Sequence, residues 1–500
     1  MNATPTPTAA LRRIVIVLMA PTVTTIIAMA MFSVAVPFIR SEQNLTADTA
    51  SWLLVAYTLP YMMLMPLYGR LGDGIGRRRL MLAGVALFCA GSGVLLFVES
   101  LPLILVGRAI QGAGAAGVNP LAMATIIEFA PPEQRGKAVG TWNSSGPVAG
   151  LLGPLIAGPL IDSFGWRSVM VPTFVVGAAA LVLTRSMLPE STRSSSLRHA
   201  VRSFDWIGVA LFNATVAMLV FFTSSRPITG VEPLRDLRLL GAGIAFLIAF
   251  VWWSRTRTTP FIDLAIFRNR NFTFASICVS FRMMLMGGAS FLMPLFVTDI
   301  YGFAASATGS LLMLHAGALL ITMWIGGIVV DRWKSRAQIV LGLGVESVAM
   351  LSFLMLPAGA PVAWVFAILA LHGLGAGLCL AALHVYALSG APRTRSATAA
   401  GLYSMIRFSG SMLGAAIGGV VLYAGLERFG ITVEGYRPAF LFYLIVSLLG
   451  AGAAFGLTRR IPPATAEPPR ADDRPHARRS VEPARAPDEQ PNGPRNTANA

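Results

Sequence analysis

GRLGDGIGRRR, residues 69–79, is the stretch that decides the fold. It lies between two apolar stretches, residues 52–68 and 80–98, that are each long enough to cross a bilayer as a helix. Glycine, aspartate and arginine in such number do not stay in hydrocarbon, so the stretch must join two membrane helices at the water boundary. Its arginines predict the cytoplasmic side. The glycines allow a tight turn, and Asp73 can accept hydrogen bonds from a neighbouring helix N-terminus or pair with an arginine.

The composition is that of a protein that crosses the membrane many times. Of 500 residues, 55% are hydrophobic and 12% are charged, whereas about a quarter of a soluble domain is charged. The net charge of +16 raises nucleic acid as an alternative partner. However, the basic residues are scattered through short joining segments, which indicates membrane topology, and we expect no nucleic acid. Cys89, Cys278 and Cys379 lie in apolar stretches and indicate packing, not a disulfide framework or a metal site.

Fourteen segments of the chain are long enough and apolar enough to cross the membrane. An even number of spans places both termini on the same side. The predicted spans cover residues 14–37, 52–68, 80–98, 102–126, 137–160, 168–185, 206–223, 237–253, 272–296, 307–330, 337–356, 361–388, 397–424 and 438–457.

Lys and Arg residues are concentrated in the joining segments on the side of residues 69–79, and few lie in the segments on the other side. A missed or extra span would mix the two sides, so this asymmetry supports the count of spans. It predicts a multi-pass protein of the bacterial inner membrane with both termini in the cytoplasm. The basic residues of the other side are Arg40, Arg167, Arg226, Arg235, Arg238, Arg428 and Arg437.

The chain contains an internal repeat. GIVVDRWKSR, residues 327–336, is similar to residues 69–79, and Asp331 stands where Asp73 would fall. Each stretch lies between the second and third spans of a set of six, which predicts two parallel six-helix halves and an inserted helix pair. The predicted units are an N-terminal bundle 14–185, a cytoplasmic linker 186–205, the inserted pair 206–253, a C-terminal bundle 272–457 and a disordered cytoplasmic tail 459–500.

Three sets of residues resemble motifs of the major facilitator superfamily. Residues 69–79 resemble its signature loop, RAIQGAGAAG (residues 108–117) resembles its span-four motif, and the Gly/Pro pattern of span five resembles its antiporter motif. The resemblance implies an all-α membrane fold and a transport function. The residues that carry it are Gly69, Asp73, Gly76, Arg77 and Arg78 in the loop; Arg108, Gln111 and Gly112 in span four; and Gly146, Gly150, Gly153, Pro154 and Gly158 in span five.

Further matches, such as Trp52 and Tyr57 at the start of span two, extend the resemblance to the fourteen-span drug:proton antiporter family. That family implies export of hydrophobic compounds. In the family Arg108 would be associated with proton transfer; its alternative role is a structural one, bonded to nearby carbonyls. The chain departs from the family at Ala28, which stands where an aspartate is usual, so the carboxylate that carries the proton must lie elsewhere.

Three other charged residues lie deep in predicted spans. Glu346, Arg282 and Arg407 are all near mid-membrane, and a charge at that depth is a candidate for coupling or substrate binding. One hypothesis is an ion pair of Glu346 with Arg282 that loosens on protonation, and the other proton route is Asp73 with Arg108. For Glu346 a hydrogen-bonded, neutral residue is the alternative. His315, His372 and His384 also lie in spans, where packing is the commoner role.

The sequence therefore predicts a secondary transporter, not an enzyme, with two six-helix bundles around one cavity. No phosphate-binding loop or metal-ligand set is present in the sequence, so we expect no cofactor and a proton gradient as the energy source. Expected partners are a hydrophobic small molecule and membrane lipid, and a periplasmic adaptor protein is left open. The alternatives are transport of an organic anion, which the three arginines favour, and a membrane sensor without transport.

Overall fold

A computed structural model describes residues 7–190, 202, 204–224, 226–258, 260–333, 336–389 and 396–460. Within these ranges the chain is helical apart from its joints, and fourteen helical segments are long and apolar enough to span a membrane. The predicted number of spans is confirmed. Most of the predicted linker 186–205, the tail after Arg460, and the side chains of Asp73 and Asp331 lie outside the described residues.

The first six spans are formed by eight helices because spans 4 and 5 are each interrupted once. Span 6 is preceded by a 3₁₀ turn, Trp166–Val169. The helices are Pro7–Glu42 (span 1), Ala47–Ile75 (span 2), Arg77–Leu95 (span 3), Leu101–Ala115 and Val118–Phe129 (span 4), Arg135–Asn143 and Ser145–Phe164 (span 5), and Met170–Met187 (span 6).

Each of the remaining eight spans is a single helix, and a short helix, Arg226–Thr229, lies between spans 7 and 8. They are Trp206–Thr223 (span 7), Leu237–Thr256 (span 8), Arg270–Tyr301 (span 9), Ala305–Trp333 (span 10), Ala337–Leu354 (span 11), Val362–Leu388 (span 12), Ser396–Phe429 (span 13) and Val433–Ala454 (span 14).

The packing of the spans shows the predicted repeat. In the N bundle, spans 1–6, span 1 packs on spans 5 and 6, span 4 on spans 2 and 3, and span 3 on span 6. In the C bundle, spans 9–14, every one of these pairs recurs eight spans later, for example span 9 on span 13 and span 11 on span 12. The insert, spans 7 and 8, packs mainly on itself and touches span 13. Two six-helix bundles with two inserted helices are therefore confirmed.

The two bundles meet along two symmetric seams, span 5 against span 10 and span 2 against span 13. We call the end of the molecule that carries Gly76 the basic end, and the other the opposite end. In the half near the opposite end, glycines allow backbone contact between bundles. A Cβ on Gly158 would lie 2.6 Å from the Cα of Ser306, and one on Gly419 2.6 Å from the Cβ of Ser51.

Glycines nearer the basic end show no such contact. A Cβ added to Gly150 of span 5, Gly327 of span 10 or Gly401 of span 13 would meet no described heavy atom within 4 Å. Among the described residues, the hydrogen bonds and closest glycine contacts between the bundles therefore lie at the opposite end and in the middle of the seams.

Candidate functional site

The joint between spans 2 and 3 is a single residue, Gly76. Its φ of 99° is a conformation that glycine adopts readily and other residues rarely do. The sequence predicted a turn over residues 69–79, but Gly69 to Ile75 continue the helix of span 2, so that part of the prediction is wrong. The helix continues because Gly72 faces span 4, where any side chain would overlap Leu121.

Two arginines of the joint form specific bonds. Arg77 Nη1 donates to the carbonyl oxygen of Ala124 at 2.8 Å and to Glu128 Oε2 at 2.6 Å, both at the end of span 4. Arg78 donates to the carbonyl of Arg185, at the end of span 6, and lies 3.6 Å from Glu190. These arginines therefore hold spans 3, 4 and 6 together at the basic end, in addition to their predicted role in topology.

We expect Arg77→Gln to lower the free energy of unfolding, because it removes the charged hydrogen bond from Arg77 to the partly buried Glu128. A hydrogen bond to a charged group contributes about 1.5–3 kcal/mol. The measurement is thermal unfolding of the purified protein. Arg79→Gln is the matched control, since Arg79 is exposed. Equal stability of the two variants would contradict a structural role for Arg77.

Arg108 is fully buried in span 4, and no acidic side chain among the described residues pairs with it. Its Nε donates to the carbonyl oxygen of Leu53 in span 2 at 3.1 Å. The guanidinium lies between two rings, 4.0 Å from the centroid of Phe32 in span 1 and 4.5 Å from that of Tyr57 in span 2. Cation–π contacts and a carbonyl therefore stabilise this charge, while Nη2 has no hydrogen-bond partner among the described residues.

Gln111 extends the Arg108 site to two more spans. Its Oε1 accepts from Arg108 Nη1 at 2.7 Å, and its Nε2 donates to Ser92 Oγ of span 3, also at 2.7 Å. The Sδ of Met170 in span 6 lies 3.9 Å from the same nitrogen. Gly112 completes the site, because any side chain there would overlap the backbone of Tyr57. The three predicted span-four residues thus form one buried polar site that contacts spans 1, 2, 3 and 6.

The predicted span-five residues line two different contacts. A Cβ on Gly153 would lie 2.7 Å from the Cβ of Ala30, so this glycine allows span 1 to approach. Gly146 also faces span 1, at Ile26. Pro154 and Gly158 instead face span 10, where the carbonyl of Pro154 occupies the space that a side chain on Gly309 would need. The motif therefore serves one contact within the N bundle and one between bundles.

Asp162 lies one turn after Gly158 in span 5. The sequence did not indicate it as a site residue. Its carboxylate accepts hydrogen bonds from the backbone N–H groups of Ala305 and Ser306, both at 2.9 Å, and from the Ser306 hydroxyl. A carboxylate at a helix N-terminus is stabilising. Here the N bundle caps span 10 of the C bundle, at the opposite end.

A second cross-bundle contact at the opposite end is an ion pair. Arg40 Nη1, at the end of span 1, lies 2.6 Å from Asp299 Oδ2 in span 9. The hydroxyl of Tyr436 in span 14 donates to the same oxygen at 2.6 Å. From the sequence alone, Arg40 indicates only membrane topology.

The insert also contacts the opposite end of the seam. Trp52 Nε1 of span 2 donates to the carbonyl of Ser224, just after span 7. Arg226 lies 3.7 Å from the buried Asp48 of span 2 and donates to the hydroxyl of Tyr423 in span 13 at 2.9 Å. That hydrogen bond, with the charge of Asp48, raises the pKa of Arg226 above its usual value although burial opposes the change. The insert thus links both bundles.

Arg407 lies near the middle of the span 2–span 13 seam. It is half-buried, and its Nη1 is 3.3 Å from His384 Nε2 of span 12. The neighbouring Phe408 meets Tyr61 of span 2 edge-on, with centroids 4.8 Å apart, and Ser409 donates to the sulfur of Met62. Among the described residues the Nε of Arg407 has no hydrogen-bond partner.

Glu346 and Arg282 do not form the ion pair considered from the sequence. Arg282 Nε donates to the carbonyl oxygen of Ala376 in span 12 at 2.8 Å. Glu346 is fully buried in span 11, and within the described part of the chain neither carboxylate oxygen has a hydrogen-bond partner. Arg282 is close enough to interact electrostatically with Glu346 without contacting it.

Comparisons with known proteins agree with this architecture. A sequence model described as Major Facilitator Superfamily matches residues 18–415. Multidrug resistance protein Stp of Mycobacterium tuberculosis (strain CDC 1551 / Oshkosh) is 30% identical over 398 residues, covering 79% of this chain and 73% of the relative. The tetracenomycin C resistance and export protein of Streptomyces glaucescens is 26% identical over 390 residues, 78% and 72% of the two chains.

A solved structure has the same fold. It is that of a bacterial homolog of the human lysosomal transporter Spinster, in an inward-facing and unoccupied conformation. The TM-score is 0.65 at 17% identity, over 91% of this chain and 97% of that one. With the family match over most of the sequence, the chain is a multi-pass membrane transporter that belongs to the major facilitator superfamily.

Proposed function

We propose that the chain exports hydrophobic, drug-like compounds across the bacterial inner membrane in exchange for protons, by alternating access. In this proposal the basic end and both termini face the cytoplasm, as the distribution of Lys and Arg favours. The observation that carries the proposal is the unequal seam. It is closed by backbone contact at Gly158 and by Asp162 at the opposite end, whereas among the described residues no hydrogen bond or close glycine contact joins spans 5 and 10 at the basic end. Such a seam is expected of an inward-open state.

The substrate class is supported by the middle of the seam. Tyr61, Met62 and Phe408 meet there between spans 2 and 13. Aromatic rings and a polarizable thioether suit varied apolar compounds. The names of the two bacterial relatives, which mention multidrug resistance and export of tetracenomycin C, point the same way.

The test is transport by purified protein in vesicles. With the basic end outward and the lumen acidic, we expect uptake of a hydrophobic cationic dye that stops on addition of an uncoupler. Empty vesicles are the control. Dye uptake that is independent of the proton gradient would contradict proton coupling, and absence of uptake of any tested compound would contradict export.

Transport of an organic anion is the second candidate, and Arg407 favours it. This half-buried cation lies at the seam, and among the described residues its Nε has no hydrogen-bond partner; Ala28 also stands where span 1 would usually carry a buried acid. The same vesicles separate the two candidates when a hydrophobic anion replaces the cation. Uptake of the anion alone, together with its loss in Arg407→Gln, would replace the first proposal by the second.

Other predictions from the sequence stay proposals. We keep the predicted units, with the limits 14–185, 186–205, 206–253, 272–457 and 459–500. Membrane lipid is a proposed partner, and a periplasmic adaptor protein is left open. A sensor without transport is the remaining alternative. It would require that no compound tested crosses the vesicle membrane.

A further inference from the structure

Four titratable residues, one from each of spans 9 to 12, are buried together inside the C bundle. We call Arg282, His315, Glu346 and His372 the C-bundle cluster. Their exposed fractions are 2%, 7%, 0% and 0%. Arg282 interacts electrostatically with each of the other three members. From the sequence alone, the histidines are expected to have a packing role and have no link to Glu346.

Span 12 brings the cluster together. His372 and His315 of span 10 face each other with ring centroids 5.0 Å apart. One turn further along span 12, Gly375 has no side chain, and a Cβ there would lie 2.9 Å from the backbone nitrogen and 3.0 Å from Cγ of Glu346. The next residue, Ala376, accepts the bond from Arg282. Positions 372, 375 and 376 lie on one face of the helix, so the four side chains converge.

Several polar atoms of the cluster have no hydrogen-bond partner among the described residues. In the described part of the chain no partner exists for either carboxylate oxygen of Glu346, for either ring nitrogen of His372, or for Nδ1 of His315. Each buried polar atom left unsatisfied costs about 1–3 kcal/mol. Such atoms in a buried site call for an explanation, such as a catalytic role, a bound water or a bound ion.

Among the described residues, Arg282 is the positive charge that interacts with Glu346. Cys379 of span 12 is the other titratable group that interacts with both Glu346 and Arg282. Span 14 also packs on span 11, but the hydroxyl of its Tyr443 is bonded to the carbonyl of Gly414. His384 and Arg407, further along, pair with each other.

We propose that Glu346 with the His315–His372 pair is the site where this transporter holds the exchanged proton, and that Arg282 is its positioning residue. Without the proton, the carboxylate attracts Arg282; with it, the guanidinium is released to the Ala376 carbonyl of span 12. The proton enters from one aqueous phase and leaves to the other, and no bond to substrate forms. This proposal rests on the proton-coupled export proposed above, and it supplies the acid that Ala28 does not.

The experiment measures protons released when a hydrophobic cationic dye binds to the purified full-length protein in weakly buffered detergent. We expect wild type and Glu427→Gln to release protons and Glu346→Gln to lose the release, while dye counterflow in vesicles without a gradient continues at least half as fast as in wild type. Glu427 is an exposed acid at the opposite end and is therefore the matched control. His372→Asn is expected to shift the pH at which release is half-maximal.

The outcomes separate this proposal from the proposed function. If wild type neither releases protons nor responds to a gradient, proton-coupled export fails. If wild type releases protons and Glu346→Gln releases as many, only the assignment to Glu346 is overturned. A further control replaces sodium in the buffer with choline. If proton release then stops, the assignment of a proton site is also overturned.

A measurement on wild type alone keeps the proposal testable if Glu346→Gln does not fold. Infrared difference spectra should contain the carbonyl stretch of a buried protonated carboxyl that disappears on raising the pH. Dye binding should change its intensity. A spectrum in which no such band titrates would overturn the proposal.

Discussion

Replacement of Arg108 by leucine is expected to reduce the initial rate of export about 10- to 100-fold while the protein still inserts into the membrane. The substitution removes the charge between Phe32 and Tyr57 and leaves the Leu53 carbonyl and Gln111 Oε1 without their donor. A hydrogen bond to a charged group contributes about 1.5–3 kcal/mol, and about 1.4 kcal/mol corresponds to a factor of ten in rate. The measurement is dye efflux at matched expression.

Two variants make this prediction specific. Arg238→Leu removes an exposed arginine at the start of span 8 and should leave the rate unchanged. Arg108→Lys keeps the charge but loses the planar group that lies between two rings, so an intermediate rate is expected. A normal rate for Arg108→Leu would show that the buried charge is not needed in the transport cycle.

Gly158→Val is expected to shift the transporter away from the conformation seen here. The first added carbon would lie 2.6 Å from the Cα of Ser306 and 2.9 Å from the carbonyl oxygen of Ala305, both backbone atoms of span 10. Overpacking of this kind costs about 1–3 kcal/mol, which changes an equilibrium between two conformations roughly 5- to 150-fold. The opposite end should open, which the reactivity of a cysteine introduced there toward a water-soluble maleimide would measure.

Gly344→Val is the matched control, because an added Cβ there meets no described heavy atom within 4 Å. It should leave both maleimide reactivity and export unchanged. If Gly158→Val is as unreactive as wild type, spans 5 and 10 can adjust at this contact and the seam does not set the conformation.

Much of the fold could be predicted from the sequence because each span is a local property. An apolar stretch of sufficient length shows itself without knowledge of its neighbours, and basic residues mark the side of each joint. The length of the joint at Gly76, in contrast, depends on packing against another span. Gly69 and Gly72 predicted a turn, yet span 4 packs against this segment at Pro120 and Leu121, and this tertiary contact outweighs the low helix propensity of glycine.

The contacts between bundles could not be predicted from one sequence. Asp162 and Ser306 are 144 residues apart, and Arg40 and Asp299 are 259 residues apart. No local pattern distinguishes these four polar residues from others at span ends. Within the site, Arg108 and Gln111 were found because they are three residues apart on one helix. The relation of Glu346 to the histidines depends on how spans 10, 11 and 12 pack.

The bonds of the insert at the opposite end make the thickness of the bilayer part of the energetics of transport. Spans 7 and 8 have 18 and 20 residues and few of these are buried in protein. At about 1.5 Å per residue they are roughly 27 and 30 Å long, close to the hydrocarbon thickness of about 30 Å. A thicker membrane must tilt, stretch or shift such short helices. Because Ser224 and Arg226 are bonded to spans 2 and 13, that mismatch acts directly on the closed end of the seam.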